Sequence, residues 1–231
     1  MLQSTDKKLK FIFYIAIFIF LSTQITINPN TNKILNLKIN NIEVFGLSKE
    51  NNLKVSKNLS TLLFKNIFFI SEENLQEILE KNYLIETFAI KKIYPNKLEV
   101  NIKQTNFLAI TYKENEKFYI GSNGKLIPFD SIRNKNKNLP LVFSKNNYID
   151  FIKLKKIIDK SKFKFEDIDS FYHYPSNRWD FKTNDGLLIK LPRQNVIESL
   201  EFINLIKLNP QFNSNGIIDL RIANYITVSD E

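Results

Sequence analysis

The alternation over residues 97–103 constrains this chain more than any other feature. Leu98, Val100 and Ile102 alternate with Lys97, Glu99, Asn101 and Lys103. A period of two is the mark of a strand with one buried face. Upstream, Phe88 to Tyr94 is rich in strand-forming residues. Between the two runs, Pro95-Asn96 supplies a tight turn, with proline presetting φ. The spacing predicts a β-hairpin over residues 85–103 whose second strand points Leu98, Val100 and Ile102 into a core.

The surroundings of the hairpin follow from the same rules. Leu37 to Phe45 reads as a strand closed by Gly46. Asn51 to Leu63 carries Leu53, Leu59, Leu62 and Leu63 at helical spacing. Ser71 is a good N-cap for a helix opening on Glu72 and Glu73, where the helix dipole favours acids. Leu75, Ile78 and Leu79 form its apolar stripe. Residues 37–103 are therefore expected to run strand, helix, helix, strand, strand.

After residue 105 the pattern changes. Strands are predicted at 107–112, 117–120, 168–174, 179–183, 187–191, 217–220 and 225–228, and helices at 149–161 and 194–208. Ser122-Asn123-Gly124 and Asn184-Asp185-Gly186 mark hairpin turns. Residues 134–138 read as a polar loop. This second region is expected to be α+β around an antiparallel sheet.

The N-terminus carries a different signal. Phe11 to Ile27 reads FIFYIAIFIFLSTQITI, and no charge occurs from Phe11 through Asn32. As a helix this run spans about 26 Å, slightly short of a hydrocarbon core of about 30 Å. Lys7, Lys8 and Lys10 precede it and no basic residue follows until Lys33. The positive-inside rule then leaves residues 1–10 in the cytoplasm and exports the rest. A cleaved signal peptide is the other reading, against which Ser22-Thr23-Gln24 makes a poor cleavage site. Residues 28–36, with Pro29, read as a linker.

Composition narrows the chemistry. The 231 residues hold no cysteine and a single histidine, His173, in the aromatic run Phe171 to Tyr174. No Cys-based, His-based or G-x-S-x-G constellation is possible or present. Five glycines give no phosphate cradle. No catalytic, cofactor-binding or metal-binding residue is assigned, and no small-molecule substrate is expected. The net charge of +9 comes from lysines scattered among acids, which reads as a solvated surface and not as a nucleic-acid footprint. Twenty Phe and nine Tyr fall mostly at apolar strand and helix positions, so they read as core packing rather than base stacking.

Several motifs in order resemble one family. Ile42-Glu43-Val44-Phe45-Gly46 is similar to an I-x-V-x-G opening; Ile85, Ile90, Tyr94-Pro95 and Leu98-Glu99-Val100 to a V…V-x-x-x-[YW]-P-x-x-L-x-V run. Phe118 to Ile127, Leu139-Pro140-Leu141, Arg178-Trp179, Asp185-Gly186 and Ile218-Asp219-Leu220-Arg221 continue the pattern. With the N-terminal apolar segment, they resemble the bacterial cell-division proteins FtsQ and DivIB. The resemblance implies a cytoplasmic tail (1–10), a transmembrane helix (11–27), a linker (28–36), a POTRA domain (37–105) and a β-rich C-terminal domain (106–231). It also implies a non-catalytic inner-membrane scaffold of the division septum whose periplasmic part binds small division proteins of the FtsB and FtsL type.

In that family the last strand and its neighbours form the partner surface, which here implies Ile222, Asn224, Tyr225, Ile226, Thr227 and Val228, with Arg178 and Trp179 nearby. Only Ser229-Asp230-Glu231 follow that strand, and it carries no Pro or Lys to blunt an edge. A closing strand that pairs inward only is the plainer reading. Three other readings of the whole chain are a POTRA-bearing component of envelope protein assembly, which would need a following β-barrel, a membrane-anchored envelope enzyme, and an exported polyanion binder resting only on the net charge of +9.

Overall fold

The computed structural model describes residues 4–23, 37–132, 138–145, 148–207, 216–222 and 227–230. The expected hairpin is formed by β2 (Ile85–Ile93) and β3 (Lys97–Gln104), paired antiparallel, with a cis peptide bond at Tyr94-Pro95 in the turn. β1 (Asn41–Phe45) lies parallel to β3, placing Ile42 beside Leu98 and Val44 beside Val100. The order β1-β3-β2 makes β3 the central strand. Leu98, Val100 and Ile102 are all buried, as their alternation requires.

Two helices supply the rest of that core: α2 (Lys49–Leu59) and α3 (Glu72–Leu79). The Ser48 hydroxyl oxygen accepts from the Asn51 amide at 3.4 Å. The Asn74 side chain accepts from the Ser71 amide at 3.0 Å, so one of the orphan donors at each helix start has a partner. Val55, Leu59, Leu62, Leu75 and Leu79 pack against β3. Leu53, expected in that stripe, is exposed; the buried face is set by Val55 and Leu59, four residues apart. Regular pairing of the first strand starts at Asn41 and not at Leu37; Lys38 makes a single bridge to Asn66.

The second sheet has nine strands: β4 (Phe107–Lys113), β5 (Glu116–Gly121), β6 (Leu126–Pro128), β7 (Leu141–Phe143), β8 (Ile168–Tyr174), β9 (Arg178–Thr183), β10 (Leu188–Lys190), β11 (Gly216–Asp219) and β12 (Thr227–Asp230). Their order is β12-β11-β10-β9-β8-β7-β4-β5-β6. The expected antiparallel sheet is corrected to a mixed one, since β4/β7, β7/β8 and β10/β11 are parallel. The two helices explain two of these pairings, and β5 and β6 form the connection between β4 and β7. Parallel neighbours need a crossover, and α4 (Tyr148–Lys160) joins β7 to β8 while α5 (Val196–Lys207) joins β10 to β11.

α4 and α5 cover one face of this sheet. Phe151, Leu154 and Ile158 of α4 and Leu200 and Ile203 of α5 pack with Val142, Phe171, Phe181, Ile189 and Ile218. Those five strand residues form one cross-strand row from β7 to β11. A third cluster, Leu84, Ile110, Tyr119, Ile127 and Phe129, joins the β4–β6 end of the sheet to the first unit.

The N-terminal helix α1 runs Ser4–Thr23. Among the described residues no helix is long and apolar enough to cross a membrane. α1 opens on Asp6, Lys7, Lys8 and Lys10, which leaves an uninterrupted apolar run of only Phe11 to Leu21. The remainder of the expected span, Gln24 to Ile27, and residues 28–36 lie outside the described residues, as do 134–137 of the polar loop.

Candidate partner-binding edge

β12 is the last strand of the order, with β11 on one side and, among the described residues, no strand on the other. Its register sets Gly216 beside Asp230, Ile217 beside Ser229, Ile218 beside Val228 and Asp219 beside Thr227. An antiparallel strand turns alternate backbone groups toward each neighbour. Half of the N–H and C=O groups of β12 therefore face away from the sheet. That geometry accepts a further strand by main-chain hydrogen bonds.

The two faces beside the edge differ. Val228 continues the buried row Val142, Phe171, Phe181, Ile189 and Ile218 by one strand, yet it is 54% exposed. The helices that cover Ile218 do not cover Val228. Phe202 and Leu205 of α5, off the buried stripe of that helix, are also exposed. Sequence reasoning passed over both, although apolar residues outside a helix stripe are the available signal.

On the other face a polar row crosses the strands: Asp180 of β9, Lys190 of β10, Asp219 of β11 and Thr227 of β12. Arg178 Nε donates to Asp180 Oδ1 at 3.1 Å. Burial pushes the Asp180 carboxyl above its ordinary range, against the pull of Arg178, Arg221 and Lys190. Arg221 Nε donates to both Asp219 oxygens at 2.7 and 2.8 Å, and these bonds hold the Asp219 carboxyl below its usual range. The Asp-Leu-Arg run thus closes on itself, and Ile222, next in sequence, is exposed.

The expected contact residues separate as follows. Thr227 and Val228 lie in β12 and are exposed, and Ile222 is exposed beside the end of β11. Asn224, Tyr225 and Ile226 lie outside the described residues, and the strand expected at 225–228 is described as Thr227–Asp230. Arg178 and Trp179 open β9, three strands in from the edge. Trp179 is corrected from contact to core residue: it is 8% exposed and packs on His173, with ring centroids 4.5 Å apart, and among Phe151 and Phe171. Among the described residues no group of three His, Cys, Asp or Glu side chains is placed to hold a metal.

Comparison with known proteins matches this layout unit by unit. The family model for the FtsQ-type POTRA domain matches residues 37–104, and that for the C-terminal region of cell division protein FtsQ/DivIB matches residues 109–221. Cell division protein FtsQ of Rhizobium meliloti is 22% identical over 200 residues, an alignment that takes in 82% of this chain and 62% of that protein's length. The FtsQ of Rickettsia felis is 22% identical over 231 residues, covering 94% and 84%. The solved major extracytoplasmic domain of the cell division protein DivIB from Geobacillus stearothermophilus aligns with 47% of this chain and 98% of its own, at 12% identity and a TM-score of 0.34. The two family models together take in more than three quarters of the chain. On that ground, and in agreement with the resemblance carried by Tyr94-Pro95 and Asp219-Leu220-Arg221, the chain belongs to the FtsQ/DivIB family of cell division proteins.

Proposed function

We propose that this chain is a non-catalytic scaffold of the division machinery, anchored in the inner membrane at the septum, that captures small division proteins of the FtsB and FtsL type by strand addition to β12. The observation that carries the proposal is the outer side of β12, which no strand among the described residues pairs. A segment laid along it gains main-chain hydrogen bonds and sets a side chain beside Val228. That contact extends the apolar row of the core by one strand and removes Val228 from water. Exposed Ile222, just past β11, offers further apolar area. Burying a side chain such as valine is worth roughly 1.5 kcal/mol or more, so a handful of such contacts outweighs the ordering of a short segment.

The anchor reading rests on α1. Its apolar side chains from Phe11 to Leu21 are exposed rather than packed on the body of the protein, as a lipid-facing helix requires. The lysines at 7, 8 and 10 support, by the positive-inside rule, a cytoplasmic start and two periplasmic sheets.

Proline at the edge tests the capture mechanism. Proline lacks the N–H that an incoming strand would accept from and is tolerated only on edge strands. Thr227→Pro and Val228→Pro sample the two alternating directions. Affinity purification of the full chain from dividing cells should lose the partners by at least about tenfold for the variant whose N–H faces outward, as one lost backbone bond with its desolvated acceptor implies. Unchanged capture by both variants, with normal melting, overturns strand addition.

A further inference from the structure

Outside α1, the two most exposed large apolar side chains among the described residues lie at one end of the first unit. Phe64 is 74% and Phe69 81% exposed, and Phe68 and Tyr94 are exposed beside them with ring centroids 5.0 Å apart. Hydrogen bonds lock three segments together there. The Phe64 amide donates to Ile39 O at 2.8 Å, the Ile67 amide to Leu37 O at 2.8 Å, and the Asn40 amide to Asn96 O at 3.0 Å. The loop 62–70, the segment 37–40 and the hairpin turn 94–96 are therefore one surface. Basic residues stand on it: exposed Lys65 lies between the rings in sequence, and Lys92 Nζ donates to Phe68 O at 3.3 Å.

This end is also where the chain arrives from α1. Thirteen residues separate Thr23 from Leu37, a reach of at most about 46 Å when fully extended. The opposite end of β3, at Gln104, leads into the nine-stranded sheet. The aromatic end therefore lies where the chain from α1 enters the first unit, and the other end leads on into the second sheet. Exposed aromatic rings flanked by lysines match the interfacial layer of a bilayer, where aromatic side chains settle at headgroup depth and lysines meet anionic lipid. A short tether raises the local concentration of such a surface and lets a weak contact form.

From this geometry we infer that the Phe64/Phe68/Phe69/Tyr94 end docks on the bilayer, held by anionic phospholipid headgroups and shallow insertion of the rings. The inference takes its tether from the anchor reading above, and its occupant is lipid rather than a protein or a second copy of the chain.

The chain has no cysteine, so single labels are straightforward. Full-length Phe69→Cys, Ile17→Cys and Lys182→Cys, each carrying a small fluorophore, would be reconstituted into vesicles of phosphatidylethanolamine with phosphatidylglycerol and a nitroxide lipid, labelled on the headgroup to read positions 69 and 182 and on the acyl chain to read position 17. The label at 69 should be quenched severalfold more than that at 182, and Lys65→Gln should lower its docked-to-undocked ratio about fivefold. Replacing phosphatidylglycerol by phosphatidylcholine should act in the same direction. Quenching at 17 without quenching at 69 overturns docking and leaves the anchor standing. Quenching at 69 but not at 17 supports docking and rejects the anchor, and quenching at neither rejects both. Concentration-dependent shielding of the label at 69 in phospholipid-free detergent assigns the surface to a second copy and overturns the lipid reading.

Discussion

Gly46 shows how one residue can hold a sheet together. It follows β1 with φ of +107°, and a Cβ there would overlap the carbonyl oxygen of Ile102 on β3. Both facts demand glycine: the backbone region is one that side chains rarely adopt, and the space is taken by a backbone atom that cannot swing aside. Gly46→Ala should therefore destabilise the first unit by more than about 2 kcal/mol, combining strain with displaced backbone. Denaturant melting of the full chain reads this as a lower midpoint at unchanged slope. A midpoint equal to the parent's would mean that β1 and β3 can separate at that point at little cost. The sequence made Gly46 visible as the end of a strand, but its closeness to Ile102, 56 positions away, is a product of the parallel β1/β3 pairing. Trp179 illustrates the converse. Arg178-Trp179 is a legible pair, yet which of two adjacent strand residues faces α4 and α5 is decided by the strand's place in the sheet.

Elements were legible in proportion to their length and the cleanness of their period. The hairpin of β2 and β3, the helices α3, α4 and α5, and the strands β8 and β9 follow from alternation, caps and turn residues. The three-residue strand β7 escaped, because three residues hold no period, whereas β10, equally short, was marked by the Asn184-Asp185-Gly186 turn before it. The parallel pairings escaped too, since a period of two says that a strand has a buried face and says nothing about the direction of its neighbour. The edge was legible as a strand, but the exposure of Val228 was not: alternation marks it for the core, and only the reach of the helices leaves it bare. The strongest sequence statement remains the face assignment of β3, and it is directly testable. Val100 is fully buried in the central strand between β1 and β2. Val100→Asp would bury a carboxylate with no cationic partner, which should cost on the order of 4 kcal/mol. Hydrogen exchange should rise across β1, β2 and β3 and stay near the parent's in β8 and β9. Parent-like protection in β3 would mean that its faces are reversed.

Across the whole molecule the two proposed contact surfaces lie far apart, and what links them is the junction between the sheets. Nine strands at about 4.8 Å put β12 roughly 38 Å from β6, and the first unit attaches at the β6 end through Leu84 packed with Ile110, Tyr119, Ile127 and Phe129. Asn123 in the β5–β6 turn fixes the angle of that attachment. Its Nδ2 donates to the carbonyl oxygens of Tyr83 at 3.0 Å and Ile85 at 2.8 Å, while its Oδ1 accepts from the Lys125 amide at 3.0 Å. Ser122 Oγ adds a 2.6 Å bond to Glu86, and the Thr105 amide donates to Leu84 O at 2.9 Å. A turn residue chosen for its backbone is here also a clamp between the units. Asn123→Ala removes both donors at once, and each half-buried carbonyl left without them costs about 1 kcal/mol or more. Both sheets keep their own cores, so each should still unfold cooperatively, with the global midpoint lowered by several degrees. The distinctive readout is orientational. The distance between labels at Phe69→Cys and Lys182→Cys should broaden in the Asn123→Ala background, because the clamp sets where the edge strand stands relative to the end proposed to dock on lipid. Capture of partners at β12 should persist in detergent, where the chain meets its partner at any angle. It should weaken in membranes, where the partner's own anchor restricts the angle of approach. An unchanged distance distribution would assign the rigidity to the Leu84 cluster alone and remove Asn123 from the mechanism.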